Sequence, residues 1–129
     1  MVRVPGTKGS LQQLKAEGKD IRIVYSPLDT LRIAGENPEK QVVFFAIGFE
    51  TTTPLYTLLL QEIVSRKITN LSLLTSLFTI PAAISFLAQD PECKIDGLLA
   101  AGHVCSITGL REYDALAEKL ELPIAVTGF

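Results

Sequence analysis

Short apolar runs alternate along this chain with segments in which apolar residues recur at helical spacing, and this order predicts strands and helices in turn. The continuous apolar run at residues 42–47 is typical of a strand buried on both faces of a parallel sheet. A helical pattern follows over residues 55–67, where Leu55, Leu59 and Ile63 recur at helical spacing. Because the same rhythm continues to the end of the chain, we expect parallel strands joined by helical crossovers.

The full set of predicted elements combines this periodicity with capping and turn residues. Strands are predicted at residues 21–25, 42–47, 71–77, 97–100 and 123–126, and helices at residues 11–17 (capped by Ser10), 55–67, 82–89 and 111–120, with one more that begins after Ser26 and ends near Gly35 to Pro38. The predicted fold class is therefore α/β, a three-layer sandwich with a mainly parallel sheet of about five strands. All of residues 1–129 are interpreted as one such domain, and no pattern fixes the strand order.

Composition narrows the possible partners and compartments. The 129 residues are 47 % hydrophobic with a net charge of −2, and no cluster of Lys and Arg indicates a nucleic-acid surface. No apolar run approaches the roughly 20 residues that span a bilayer. Cys93 and Cys105 form neither a disulfide framework nor a paired ligand motif. We therefore expect a cytoplasmic protein that binds neither nucleic acid nor membrane.

Residues with useful chemistry concentrate where the predicted strands end. The carboxyl ends of parallel strands meet at one edge of a sheet, which is where ligands bind in open α/β folds. Glu50 follows the strand at residues 42–47, and His103, the only histidine, follows the strand at residues 97–100. The loops expected at this edge are residues 26–29, 48–53, 78–81, 102–106 and 127–129. This edge is the candidate site, and Gly48 and Gly102 would allow close backbone approach there.

Each candidate also has a purely structural interpretation. Glu50 could only complement a helix dipole, an effect of about 0.3–1 kcal/mol. The threonines at residues 51–53 are predicted to cap the helix that begins near Pro54. His103 could be a structural hydrogen bonder, and Cys105 a small buried side chain. A Glu, a His and a Cys can hold a transition metal, but this spacing makes Cys105 only a weak candidate ligand.

Five motifs, taken together, resemble the HypD family of [NiFe]-hydrogenase maturation factors. In chain order they are Arg3-Val4-Pro5-Gly6, residues 22–27, residues 42–45, Gly48-Phe49-Glu50-Thr51-Thr52 and Gly102-His103-Val104. The resemblance covers essentially the whole chain but only the central portion of the family, without its upstream and C-terminal cysteine motifs. We therefore expect the central domain of a longer HypD-like protein, and the extended start and the finish at a strand-end loop agree with an excised piece.

The resemblance implies a scaffold that helps to assemble the Fe(CN)2CO unit of the hydrogenase active site and that is inactive in isolation. It implies a HypC-like chaperone and a HypE-like cyanide donor as partners. Iron and a [4Fe–4S] cluster are implied for the full-length family member, and no cofactor is expected within this chain.

The resemblance also implies a cleft lined by residues of the same motifs. These residues are Arg3, Pro5, Gly6, Gly48, Phe49, Glu50, Thr51, Thr52, Gly102 and His103. Glu50 would accept hydrogen bonds or a proton during ligand transfer, and His103 would donate or relay one. Ala101 and Cys105 stand where the family commonly has Pro and Ser, and these departures bear on the placement of His103.

Two other interpretations stay open from the residues alone. One is a self-contained enzymatic or small-ligand-binding α/β domain that uses the loops of Glu50 and His103. The other is an interaction module whose strand-end loops only contact a protein partner. A ligand that stabilises the isolated chain would favour the first, because binding to the native state must raise its stability.

Overall fold

The order of helices and strands follows the predicted alternation along most of the chain. The computed structural model describes Arg3 and residues 5–128, so Val4 and Phe129, which belong to a motif and a loop named above, lie outside the described residues. The elements are β1 (Pro5–Gly6), β2 (Gly9–Ser10), α1 (Leu11–Ala16), α2 (Asp29–Glu36), β3 (Val42–Gly48), α3 (Thr53–Ser65), β4 (Leu71–Leu77), α4 (Ile80–Leu87), β5 (Leu98–Ala100), α5 (Gly102–Thr108), α6 (Arg111–Leu120) and β6 (Ile124–Val126). Across the described ranges, no helix has the length and apolar character to cross a membrane.

Parallel pairing confirms the predicted α/β class. Strand β3 pairs with β4 over seven residues, from Val42 opposite Leu71 to Gly48 opposite Leu77. Strand β5 pairs with β6 in the same sense, and β1 and β2 form a short antiparallel hairpin. The predicted single sheet of about five strands is not observed, because the described strands form three two-stranded sheets. Strands β5 and β6 have only three residues each and so offer few backbone groups to a second neighbour.

The strand predicted at residues 21–25 is wrong. This segment has the composition of a strand but does not form one, and Tyr25 is fully exposed. It runs beside the free edge of β3, separated from it by a groove of about 850 Å³ that residues of both segments line. Asp20 anchors its start through an ion pair with Lys40 at 2.8 Å. A β-rich sequence becomes a strand only where it packs and pairs with a neighbour, and here the ladder bonds are missing.

The cap predicted at Ser10 is confirmed, because Ser10 and Gln13 form a reciprocal capping box at the start of α1. The cap predicted at Ser26 is not, because α2 begins at Asp29 after Leu28 and has no side-chain cap bond. Ser26 instead stabilises the turn before α2: the Leu28 amide donates to Ser26 Oγ at 3.3 Å, and the Ser26 amide donates to the Asp29 carboxylate at 3.1 Å.

One hydrophobic core lies on a single face of the β3–β4 sheet. Ala34 of α2, Leu59 of α3 and Leu71 of β4 are buried together, and Val42 and Phe44 pack against them. The opposite face carries Val43, Phe45 and Leu74, which are 60 %, 39 % and 56 % exposed. The second helical layer of a three-layer sandwich does not cover this face within the described residues.

A second core joins the C-terminal elements. Ala100 of β5, Cys105 of α5 and Tyr113 of α6 are buried together, with Ile80 and Ile84 of α4 packed against them. This packing corrects the prediction of a strand-end loop at residues 102–106, which form the first turn and a half of helix α5. The chain turns directly from β5 into the helix because the Val104 and Cys105 amides donate to the Ala101 carbonyl.

Candidate functional site

The carboxyl ends of β3 and β4 are tied together by two hydrogen bonds. The Phe78 amide donates to the Gly48 carbonyl at 3.1 Å, which extends the pairing past the end of the strands. The Ile80 amide, at the start of α4, donates to Glu50 Oε1 at 2.6 Å. The two loops predicted to share this edge therefore do lie side by side.

Gly48 is required by the close approach of the loop that follows β3. Its φ is +157°, and a Cβ at this position would meet the side chain of Thr52. Thr52 and Thr53 do not cap α3 as predicted, because both hydroxyls donate to the Phe49 carbonyl, at 2.9 and 3.2 Å. Thr52 has helical φ and ψ of −94° and −22°, whereas a side-chain cap needs an extended residue at that position. The threonines thus stabilise the turn that holds Glu50.

Glu50 is a buried carboxylate, with 7 % of its surface exposed. The prediction set it against the N-terminus of its own following helix, α3, but it binds the N-terminus of α4 instead. A negative charge there is stabilised by the free amides and by the helix dipole. Its second oxygen, Oε2, is buried and has no hydrogen-bond partner among the described residues. One oxygen is therefore structurally engaged and the other is not.

The carboxyl ends of β5 and β6 are tied together in a similar way. The Thr127 amide donates to the Ala100 carbonyl at 2.9 Å, and the Gly102 amide donates to Thr127 Oγ1 at 3.0 Å. A Cβ on Gly102 would meet the backbone carbonyl of Thr127. Glycine is therefore the residue that fits between the two strand ends.

Tyr113 of α6 is the site residue that sequence reasoning missed. It is 2 % exposed, and its hydroxyl is buried without a hydrogen-bond partner in the part of the chain that the structure describes. Burial raises the pKa of Tyr113, and nearby Cys105, Glu50 and Glu112 raise it further. The sequence signal was only an aromatic residue on the apolar face of an amphipathic helix, which is equally typical of a core position.

The remaining predicted residues are spread more widely. The His103 side chain is exposed on α5, whereas its neighbours Val104 and Cys105 are buried. Phe49 and Thr51 are exposed around Glu50. The N-terminal residues Arg3, Pro5 and Gly6 lie in or beside the β1–β2 hairpin, which contacts mainly α1. No hydrogen bond between described residues joins that hairpin to Glu50 or to α5.

The side chains of this region do not by themselves make a metal site. Among residues 3 and 5–128, no three His, Cys, Asp or Glu side chains lie close enough to hold a metal ion. Cys105 is buried in the second core, and Cys93 is partly exposed in another loop.

Comparison with known proteins decides the family. A family model described as HypD, hydrogenase formation hypA family, matches residues 1–129. The chain belongs to the HypD family. It is 46 % identical over 128 residues to the hydrogenase maturation factor HypD of Rhodobacter capsulatus, and 43 % identical over 128 residues to that of Escherichia coli K12. It is also 35 % identical over 135 residues to the HypD of Azotobacter vinelandii.

These matches cover nearly all of this chain but only part of each relative. They extend over 99 %, 99 % and 100 % of the chain and over 34 %, 34 % and 36 % of the three HypD proteins. The chain thus spans about a third of the length of the HypD proteins that it matches.

Proposed function

We propose that this chain is a scaffold domain of a [NiFe]-hydrogenase maturation factor, that it helps to assemble the Fe(CN)2CO centre, and that it is inactive in isolation. The observation that carries the proposal is Glu50, a buried carboxylate at the carboxyl end of a parallel strand with one oxygen free. Ligand sites of open α/β folds lie at that edge. The HypD-family match over residues 1–129 supports the link to hydrogenase maturation.

Within this proposal, Glu50 and His103 have different tasks. Glu50 Oε2 accepts a hydrogen bond or a proton as a ligand moves at the strand edge, since Oε1 is already held by the Ile80 amide. His103 is exposed on α5 and can exchange protons with solvent or a partner. Gly48 and Gly102 keep the strand ends close together, and Phe49, Thr51 and Thr52 surround Glu50. Arg3, Pro5 and Gly6 would approach the same cleft from the N-terminal hairpin.

Iron enters this proposal as cargo. The donor groups of the described residues do not fit an iron site of their own. We therefore propose that iron, like the [4Fe–4S] cluster of the family, is held by parts of a HypD polypeptide outside this chain. The HypC-like and HypE-like partners belong to the same proposal, with the strand-end edge as the surface that meets them.

The uncovered face of β3–β4 supports a place within a longer polypeptide. Parallel sheets are ordinarily covered on both faces, because their connections put helices on each side. Val43, Phe45 and Leu74 form an apolar patch on the face opposite the first core. We propose that another part of a HypD polypeptide covers this patch, since the relatives are roughly three times as long as the region matched.

The test uses a HypD polypeptide that contains this chain, expressed in cells that lack their own HypD. Glu50→Gln keeps the shape and one acceptor, and His103→Gln keeps a hydrogen-bonding side chain. We expect each change to lower hydrogenase activity at unchanged HypD abundance, and we expect Glu39→Gln, an exposed carboxylate, to leave activity intact. Normal hydrogenase activity in both the Glu50 and the His103 variants would contradict the proposal.

A further inference from the structure

One edge of β3 carries backbone groups that no described strand pairs with. The Val42 amide donates to the Asn70 carbonyl at 2.8 Å, and the Gly48 carbonyl is also held from the β4 side. The even-numbered residues of β3 therefore direct their backbone groups toward β4. Because these directions alternate along a strand, the amides and carbonyls of Val43 and Phe45 point away from β4. Among the described strands, β4 is the only neighbour of β3.

The groove of about 850 Å³ runs along this free edge. Residues from both faces of β3 line it, namely Val42, Val43, Phe44 and Phe45. Its other wall is the segment at residues 21–25, and no hydrogen bond between described backbone groups joins that segment to β3. The groove therefore lies between two extended stretches of backbone that do not reach each other.

The size of the groove corresponds to one extended strand. Residues rise about 3.3 Å each along a strand, neighbouring strands lie about 4.8 Å apart, and stacked sheets lie about 10 Å apart. A strand of about five residues therefore fills about 800 Å³. A strand in this groove would bond to the outward backbone groups of β3, as when an extended peptide adds to the edge of a sheet.

The lining is apolar along most of the groove and cationic at one end. Phe45 and Leu74 contribute to the apolar part. At the end where residues 21–25 and β3 begin, Arg22 and Lys40 share the single carboxylate of Asp20, at 2.9 and 2.8 Å. Both cations are exposed enough to bind a further anion, since their side chains are 42 % and 59 % accessible. Apolar side chains with an acidic residue at this end would complement the groove.

We propose that an extended segment of a longer HypD polypeptide, from outside these 129 residues, inserts into the groove as a strand on β3, with an acidic residue next to Arg22 and Lys40. The relatives have the necessary length, since this chain corresponds to 34 % of the Rhodobacter capsulatus HypD. The groove is also continuous with the uncovered face of the sheet, because Val43, Phe45 and Leu74 belong to both. The inference rests on the proposed place of this chain within a longer HypD polypeptide.

The first test places the photo-crosslinking amino acid benzoylphenylalanine at Tyr25 in a HypD polypeptide that contains this chain. Tyr25 lines the groove and is fully exposed, and Phe86 of α4, which is 75 % exposed and lies outside the groove lining, is the control position. After irradiation of the purified polypeptide, mass spectrometry should show position 25 joined to a segment outside the 129 residues that contains Asp or Glu. The probe at position 86 should not reach that segment.

Mixing isotope-labelled with unlabelled polypeptide shows whether the link lies within one molecule. A link between two molecules would indicate a second copy as the occupant, and a link only within residues 1–129 would indicate that the groove closes on itself. Either result would overturn the proposal, and so would a linked segment without an acidic residue or the absence of any link.

The second test removes one outward amide from each edge of the β3–β4 sheet. Val43→Pro deletes an amide that points into the groove, and Thr75→Pro deletes one at the opposite edge, where Thr75 is exposed. Edge strands tolerate proline where the amide is not part of the ladder. Val43→Pro should lower the yield of the link from position 25 by roughly two- to tenfold, and Thr75→Pro should leave it unchanged. Equal yields in the two variants would overturn the proposal.

A charge reversal tests the cationic end without altering the backbone. Lys40→Glu should lower the yield of the same link by about two- to fivefold, whereas Lys94→Glu, at an exposed lysine of another loop, should leave it unchanged. An unchanged yield in Lys40→Glu would overturn the assignment of an acidic residue to that end. None of these measurements uses hydrogenase activity, so this inference can fail while the proposed role in maturation stands, and the reverse.

Discussion

The carboxylate of Glu50 holds the first turn of α4, and its replacement should separate this structural role from any chemical one. In Glu50→Ala the bond from the Ile80 amide is lost together with the charge. In Glu50→Gln the amide oxygen can still accept that bond, but the charge is gone. Glu50→Ala therefore removes both the hydrogen bond and the charge, whereas Glu50→Gln removes only the charge.

The magnitudes follow from the contacts. A hydrogen bond to a charged group contributes about 1.5–3 kcal/mol, and a neutral one about 0.5–1.5 kcal/mol. The charge at a helix N-terminus adds about 0.3–1 kcal/mol. We therefore expect Glu50→Ala to lower the free energy of unfolding by about 2–4 kcal/mol, and Glu50→Gln by about 1–2 kcal/mol, since it loses only the charge-dependent part.

Urea unfolding of the 129-residue chain, followed by circular dichroism, measures both changes. Glu39→Gln serves as the control, because it removes an exposed carboxylate of the same charge and should change stability by less than about 0.5 kcal/mol. If Glu50→Ala were no less stable than the unaltered chain, burying the carboxylate would cost as much as its bond to Ile80 contributes. The net stabilisation assigned to Glu50 would then be refuted.

Three further predictions concern backbone fit and surface charge. Gly102→Ala should cost about 1–3 kcal/mol in the free energy of unfolding, because its Cβ would meet the Thr127 carbonyl. Gly35→Ala in α2 should instead stabilise the chain by about 0.4–1 kcal/mol, since nothing lies within 4 Å of a Cβ there and the unfolded chain loses freedom. Hydrogen bonds from Arg22 and Lys40 lower the pKa of Asp20 from 3.8 to about 2, so Lys40→Met should raise that pKa in a carboxyl-carbon titration by nuclear magnetic resonance. Because the folded-state pKa is the lower one, the stabilisation from Asp20 is present above pH 3.8 and disappears as the pH falls through about 2.

Each of these has an outcome that would contradict it. Equal effects of alanine at Gly102 and Gly35 would show that the close approach at the β5 and β6 ends does not constrain the chain. An Asp20 pKa that is unchanged by Lys40→Met would show that the ion pair does not persist in solution.

The elements that the sequence predicts well are those with strong local signals. Strand β3 is predicted from a continuous apolar run, and α1 from the cap at Ser10, which the structure confirms. Such patterns depend on residues that are neighbours in the chain. The paired register of β3 and β4, by contrast, only appears when two distant segments meet.

The errors arise where tertiary context decides. Residues 21–25 have a strand composition, yet they do not reach the edge of β3 and stay unpaired. Residues 102–106 follow a short strand and contain a glycine, which suggested a loop, but Val104 and Cys105 become buried on one side of a helix. Periodicity over so few residues cannot separate a turn from the first part of a helix.

The candidate site is predictable from sequence only where it depends on local features. The position of Glu50 at a strand end is a local property, and the rule that strand ends share an edge brings it to the loop after β4. Its actual partner, the Ile80 amide, lies thirty positions further along the chain. Tyr113 could not be identified from sequence, because a buried hydroxyl without a partner is a property of packing rather than of pattern.

Only one of the two carboxylate oxygens of Glu50 helps to explain why this position has a glutamate. A cap for the first amide of α4 needs a single acceptor, which a serine, threonine or asparagine side chain supplies at far smaller desolvation cost. Oε1 therefore explains an acceptor at this point but not a carboxylate. Oε2 adds a buried charge-bearing atom that no described protein group satisfies, and helix capping does not require it. The choice of a carboxylate is thus better explained by what Oε2 contacts than by what Oε1 holds, and any chemical role of Glu50 should be sought at that second oxygen.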